Sequence, residues 1–282
     1  MKKRVIYMIW AAYFGAALGC QLAVSDNFPI TFFAFPVNAA LLLPGAVLLW
    51  MLHKKKPTSL LAGLLASPAT TFLLLAVSIV TFVALEFIAW LRPDSWWFFF
   101  VFSALSAHLL FITFRGLKKR KKHRLRFLLN HAGLLLILVG GFAGSADTAQ
   151  YRLRVFKEES TQQAFAPDGK SLRLPQAFRL ERFDVTYYSN GMPKNYEAHL
   201  KVGTENVLLR VNHPYRLSWA ENLYLIDYEH RPEGEEAGHC TVEIVRQPWK
   251  PVQWTGIWML MAGSLLLFVQ GLSASKKGAE TT

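Results

Sequence analysis

The chain has 282 residues, 52% of them hydrophobic and 14% aromatic, and its 31 Lys and Arg against 19 Asp and Glu leave a formal charge of +12. So apolar a composition excludes a disordered polymer, a disulfide-stapled secreted domain and a cytosolic globular enzyme. A soluble nucleic-acid binder would carry its basic excess on a hydrophilic surface, which this chain lacks.

Between the charged residues lie six long uncharged runs: 5–25, 27–52, 57–85, 95–114, 127–146 and 251–275. A bilayer core needs roughly 20 apolar residues per helix, and each run supplies them. The first run is long and has no small-x-small cleavage site, so it is predicted to span the membrane rather than to be a cleaved signal. Pro44 and Pro68 are placed to kink their helices.

The loops between the runs alternate in charge. Lys2, Lys3 and Arg4 precede the first run, and His53-Lys54-Lys55-Lys56 follows the second. Arg115, Lys118, Lys119, Arg120, Lys121, Lys122, Arg124 and Arg126 follow the fourth, and Lys276 and Lys277 follow the sixth. The intervening loops hold only Asp26, and Arg92 with Asp94. The positive-inside rule therefore predicts cytoplasmic termini and basic loops, with segment 148–250 on the outer, periplasmic side of a cytoplasmic (inner) membrane. That segment carries 14 basic and 14 acidic residues, so the excess charge belongs to the membrane part. The 115–126 run reads as a topology signal touching anionic lipid headgroups, and no nucleic-acid partner is expected.

Segment 148–250 changes its pattern. Phe183, Val185 and Tyr187 alternate with polar residues, as do Val207, Leu209 and Val211, then Leu223 and Leu225, then Val242 and Ile244. Period-two alternation predicts half-buried strands. Pro167-Asp168-Gly169 and Ser189-Asn190-Gly191 predict turns, and His213-Pro214 and Arg231-Pro232 break the pattern. Six or seven strands in about 100 residues make a small antiparallel sandwich or partial barrel. His199, His213, His230 and His239 form no zinc pattern and read as surface or structural residues. Cys20 and Cys240 make no CxxC and read as incidental thiols. The fold class expected is thus an α-helical polytopic membrane protein of six transmembrane helices with one extracytoplasmic antiparallel β-rich domain. It divides into two N-terminal helices (1–56), three core helices with the basic loop 115–126 (57–147), the β-rich domain (148–250), and a last helix with its tail (251–282).

An ionisable residue inside a bilayer is a functional candidate by default. Glu86 lies close enough to the outer loop to reach the interface, and His108 reads first as a neutral histidine hydrogen-bonded to a neighbouring helix. His131 is different. At 100° per residue, Gly133, Gly140 and Gly144 fall within about 40° of one another, a small-residue stripe for close helix contact, and His131 points about 160° away from it. An imidazole on the opposite face suits an axial ligand of haem iron as well as it suits a satisfied structural histidine, and both readings stay open.

Phe127 through Gly144, FLLNHAGLLLILVGGFAG, resembles the His-bearing helix of ResB/CcsB proteins of System II cytochrome c maturation. The exterior segment is similar as well: Gly191-Met192-Pro193-Lys194 followed by Asn195-Tyr196-Glu197, then Val211-Asn212-His213-Pro214, then Asn222 through Tyr228. Arg246-Gln247-Pro248-Trp249-Lys250-Pro251 with Thr255-Gly256 resembles the family's approach to its last helix. The resemblance covers 57–275, and the two earlier runs match a longer form of the family.

The resemblance implies a haem-handling subunit. It would work with a CcsA/ResC partner to move haem outward across the membrane for covalent attachment to apocytochrome c. It implies that His131 is the metal ligand, an axial ligand of the iron of haem b, held transiently and shared with the partner. No WWD-type motif surrounds Trp96-Trp97, so the principal haem-handling site is expected in that partner. Since the thiols of the cytochrome attack the haem vinyls, this chain is expected to be a non-catalytic subunit rather than an enzyme. Two other readings compete. A receptor or scaffold reading an external ligand through the β-domain would need a cytoplasmic signalling segment longer than 115–126. A small-solute transporter subunit would carry inverted repeats, and the six runs contain none.

Overall fold

The computed structural model describes residues 3–24, 27–89, 91–117, 121–231 and 236–279, with side chains left aside at 121–123 and 270–279. Lys2, Asp26, Lys118, Lys119, Arg120 and Pro232, which entered the charge and turn readings, lie outside the described residues. The chain divides into two compact units, Met1–Ala146 with Pro251–Thr282, and Asp147–Lys250.

The first unit is helical: α1 (Lys3–Ala23), a 3-10 turn at Ile30–Phe33, α2 (Val37–Lys55), α3 (Leu60–Leu65), α4 (Pro68–Ala84), α5 (Trp96–Gly116), α6 (Lys121–Ser145) and α7 (Lys250–Ala279). Five of these, α1, α2, α5, α6 and α7, are long and apolar enough to cross a membrane. The expectation of six full-length spans meets a difference at the third run. There Ser67 caps a new helix, its side chain accepting from the Ala69 amide, and Pro68 takes the first helical position. Proline there lacks only an N–H that the first turn leaves unbonded anyway. The run becomes a six-residue α3 and a 17-residue α4, the latter about 25 Å long. Pro44, in contrast, sits inside a continuous α2.

Polar contacts tie the apolar helices together. Trp10 of α1 donates its indole N–H to Thr70 of α4 at 3.0 Å, and Thr70 donates in turn to the Leu64 carbonyl at 2.8 Å. Tyr13 bonds the Phe100 carbonyl at 3.0 Å, and the Trp97 indole donates to Thr81 at 3.0 Å. Where lipid is as apolar as leucine, such pairs and close packing replace the hydrophobic drive. Around them Ile6, Trp10, Leu64, Leu74 and Ala104 make a buried core.

The second unit is a single eight-stranded antiparallel sheet in the order β5-β4-β3-β2-β1-β8-β7-β6. Its strands are β1 (Ala149–Phe156), β2 (Thr161–Phe165), β3 (Ser171–Tyr187), β4 (Pro193–Val202), β5 (Glu205–Arg210), β6 (Tyr215–Arg216), β7 (Glu221–Tyr228) and β8 (His239–Arg246). The alternation seen in the sequence is real: Val207, Leu209, Leu223, Val242 and Ile244 all enter one core with Leu153, Leu180, Phe183 and Leu200. One sheet around one core is the partial-barrel arrangement, and a Tyr215–Glu205 hydrogen bond of 3.0 Å draws its end strands together. Both turn signals hold. Gly169 and Gly191 take φ of +83° and +79°, and the preceding Asp168 and Asn190 side chains accept from the Lys170 and Met192 amides, both at 3.1 Å.

Candidate functional site

α6 has two working faces. On one, Gly133 and Gly140 let α7 approach closely. A Cβ added at Gly133 would stand 2.8 Å from the Gly256 carbonyl, and one at Gly256 would stand 2.6 Å from the Gly133 carbonyl. Gln253 of α7 donates to the Gly140 carbonyl at 2.9 Å. The glycine stripe read from the sequence is therefore a helix crossing, and Gly144 is buried as well. The sequence reading missed the other half of the crossing: Gly256 and Gly263 keep the seven-residue spacing of Gly133 and Gly140. Asn130 faces Gly263, and its buried Oδ1 has no hydrogen-bond partner among the described residues.

The opposite face of α6 packs on α5. Phe142 stacks on Phe102 with ring centroids 4.4 Å apart. Eleven residues separate His131 from Phe142, which turns the helix to within about 20° of the same direction. At the other end the Phe127 ring lies over Gly116, where no Cβ could stand. His131 is set between these points and is half-buried. Its ring stacks on Phe127 at 3.8 Å between centroids, 19° from parallel. Its Nδ1 lies 2.9 Å from the Phe127 carbonyl oxygen. A carbonyl only accepts, so Nδ1 is the donor, and this tautomer places the basic lone pair on Nε2. A ring oriented by a backbone carbonyl through one nitrogen, with its lone pair on the other, fits the donor chemistry of an axial haem ligand.

His108 is placed otherwise. It is 4% exposed, with Nδ1 2.9 Å from the Leu65 carbonyl and Nε2 3.0 Å from Thr71 Oγ1. Both ring nitrogens are thus engaged by α3 and α4, and α5 is held to them by this residue. It lies within electrostatic range of His131. His53, hidden in the sequence among three lysines, is a further buried histidine, 5% exposed at the end of α2. It meets the Phe111 ring edge-on at 6.0 Å, one turn along α5 from His108. Its apolar neighbours Leu49 and Leu52 were the signal that could have found it. Glu86 stands exposed in the turn after α4.

In the β unit, the motifs that prompted the resemblance build turns and a neck. Pro193 opens β4, and Tyr196 packs on Tyr228 at 5.1 Å. Asn212 turns the chain between β5 and β6 at φ +61°. Trp249 donates to Asp147 at 2.5 Å, joining the two ends of the unit. His199 pairs with Asp184 at 3.2 Å, His239 with Glu229 at 3.6 Å, and His230 stacks on Tyr228 at 4.3 Å. Among the described residues no three metal-ligating side chains converge. Cys240 is fully buried, and that burial pushes its thiol up to about 12.

Comparison with known proteins gives a match to the family model described as the ResB-like family over residues 118–240, a stretch that begins before His131 and ends at the start of β8. This is the family that the sequence motifs resemble. No curated protein matches. Among solved structures, one titled Cytochrome c Heme Lyase CcmF aligns with a TM-score of 0.39 at 11% identity, covering 82% of this chain and 44% of that one. The chain spans less than half the length of that protein.

Proposed function

We propose that this ResB-like chain is a subunit of a System II cytochrome c maturation complex. With a CcsA/ResC-type membrane partner, it carries haem across the membrane for covalent attachment to apocytochrome c. The observation that carries the reading is that the ResB-like match runs through His131, a residue whose Nδ1–H is tied to the Phe127 carbonyl. Haem would supply an iron with two axial positions and vinyl groups that apocytochrome thiols can attack. His131 would hold one of those positions through Nε2, and the partner would supply the other ligand. Phe127, seated on Gly116, would fix the ring plane, and Phe142 packs the same face of α6 on α5. No acid–base group of this chain is required, so its part is non-catalytic.

In this reading the chain crosses the inner membrane six times, with α4 making the third crossing. Both the loop after α2 and the loop after α5 are strongly basic. α5 alone between them would put the two on opposite sides, against the positive-inside rule. With α4 crossing as well, both basic loops and both termini are cytoplasmic and the β unit is periplasmic.

The test is to purify the complex with its partner and record haem content, the haem spectrum and cytochrome c yield for His131→Gly. Haem and yield should both fall, and added imidazole should restore them. Unchanged haem and yield without imidazole would reject the ligand role.

A further inference from the structure

The chain enters and leaves the β unit at one rim. Ala149 at the start of β1 faces Arg246 at the end of β8, which faces Glu221 at the start of β7. The β6–β7 loop is level with them, since the Gln247 amide donates to the Ala220 carbonyl at 2.7 Å. On that loop Trp219 is 65% exposed.

The Trp219 loop is not slack. The Leu217 and Ser218 amides donate to the Glu221 carbonyl at 3.0 and 3.2 Å. Ser218 Oγ bonds the Glu221 carboxylate at 3.2 Å and accepts from the Ala220 amide at 3.3 Å. An indole held out by so many bonds is presented rather than merely unburied. We propose that this rim is a membrane-interface anchor, with Trp219 seated among phospholipid headgroups.

Chain length names the occupant. Lys250, the first residue of α7, follows Gln247 by three positions, and its amide donates to the Gln247 carbonyl at 3.2 Å, a turn that keeps the two Cα atoms within about 7 Å. The headgroup layer at each face of a bilayer is itself roughly 5–8 Å deep. With α6 and α7 crossing the membrane, this rim cannot leave the interfacial zone, where tryptophan is favoured and basic side chains meet phosphate. Arg216, Arg246 and Lys250 supply the basic groups. The proposal needs only that those two helices span, and it stands whether or not the haem reading does.

The test places a nitroxide on Trp219→Cys, in a Cys20→Ser background, with the full chain alone in phosphatidylethanolamine–phosphatidylglycerol vesicles. Cys240 is buried and stays unlabelled. Met192→Cys, 59% exposed in the turn at the opposite rim, is the aqueous reference. Collision with a water-soluble nickel chelate should be several-fold lower at 219 than at 192, and collision with oxygen higher. Equal chelate access at both positions would overturn the proposal. Low access to both collision partners at 219 would overturn it too, because protein rather than lipid would then cover the site.

Discussion

The His131 imidazole and the Phe127 ring lie flat on one another at 3.8 Å, while the same histidine bonds the Phe127 carbonyl at 2.9 Å. One residue thus fixes both the tilt of the imidazole and the nitrogen that carries its proton. Phe127 is itself seated on the bare backbone of Gly116 in α5, so three residues on two helices set the orientation of one ring.

Gly116→Val should therefore act through Phe127. Overpacking of this kind costs about 1–3 kcal/mol, and in the haem-loaded complex it should also shift the haem spectrum. In a Phe127→Ala background the same substitution should cost little, because the ring it strikes is gone. A double-mutant cycle on thermal stability in detergent measures the coupling. Additive effects would show that the ring does not rest on Gly116.

Gly256→Ile should separate α6 from α7. The added carbons would meet backbone atoms, the Gly133 carbonyl at 2.6 Å and the Ile137 amide nitrogen at 2.9 Å, which cannot rotate out of the way as a side chain can. A loss at or above the upper end of the usual overpacking range, about 3 kcal/mol, is expected. Gly141→Ile is the control, since nothing stands within 4 Å of a Cβ there. Thermal unfolding of both variants in detergent checks the contrast.

Glu229 should make the β unit sensitive to acid. A hydrogen bond from Arg231 at 3.1 Å, then one from the Gly238 amide at 2.8 Å, hold its carboxyl below the usual value of 4.5. A carboxyl depressed in the folded state stabilises the fold above its ordinary pKa, and that contribution is lost as pH falls through the lower folded value. The wild type should exceed Glu229→Gln in Tm at neutral pH, and the gap should close as pH falls below 4.5. A gap that persists unchanged in acid would show that the carboxylate is not the source.

What the sequence disclosed follows from periodicity. The Gly133–Gly140 stripe was legible because helical geometry alone gathers those residues on one face, and Val207 with Leu209 was legible because strands alternate. The division at Ser67-Pro68 was not, since it falls inside a run with no charge to mark a boundary. Gly256 and Gly263 carried the right spacing, but nothing in one helix says which other helix will meet it. His53 was hidden for a different reason: three lysines after it read as loop, while the leucines before it carry the helix on. The neutral reading of His108 as a bonded histidine agrees with its two partners, Leu65 and Thr71, but those partners are visible only once α3 and α4 are separate.

The pairing of α6 with α7 also orders events during synthesis. The face of α6 that carries Gly133, and Asn130 with its buried amide oxygen, waits for a helix that lies beyond the whole β unit. At about 5–20 residues per second, some 110 residues of intervening chain take about 5–20 s to emerge. For that interval the glycine groove of α6 stands open in the bilayer, and a ribosome that stalls within the β unit leaves it open for good. Such a truncated chain is the form that a membrane quality-control protease would meet with its polar flank uncovered.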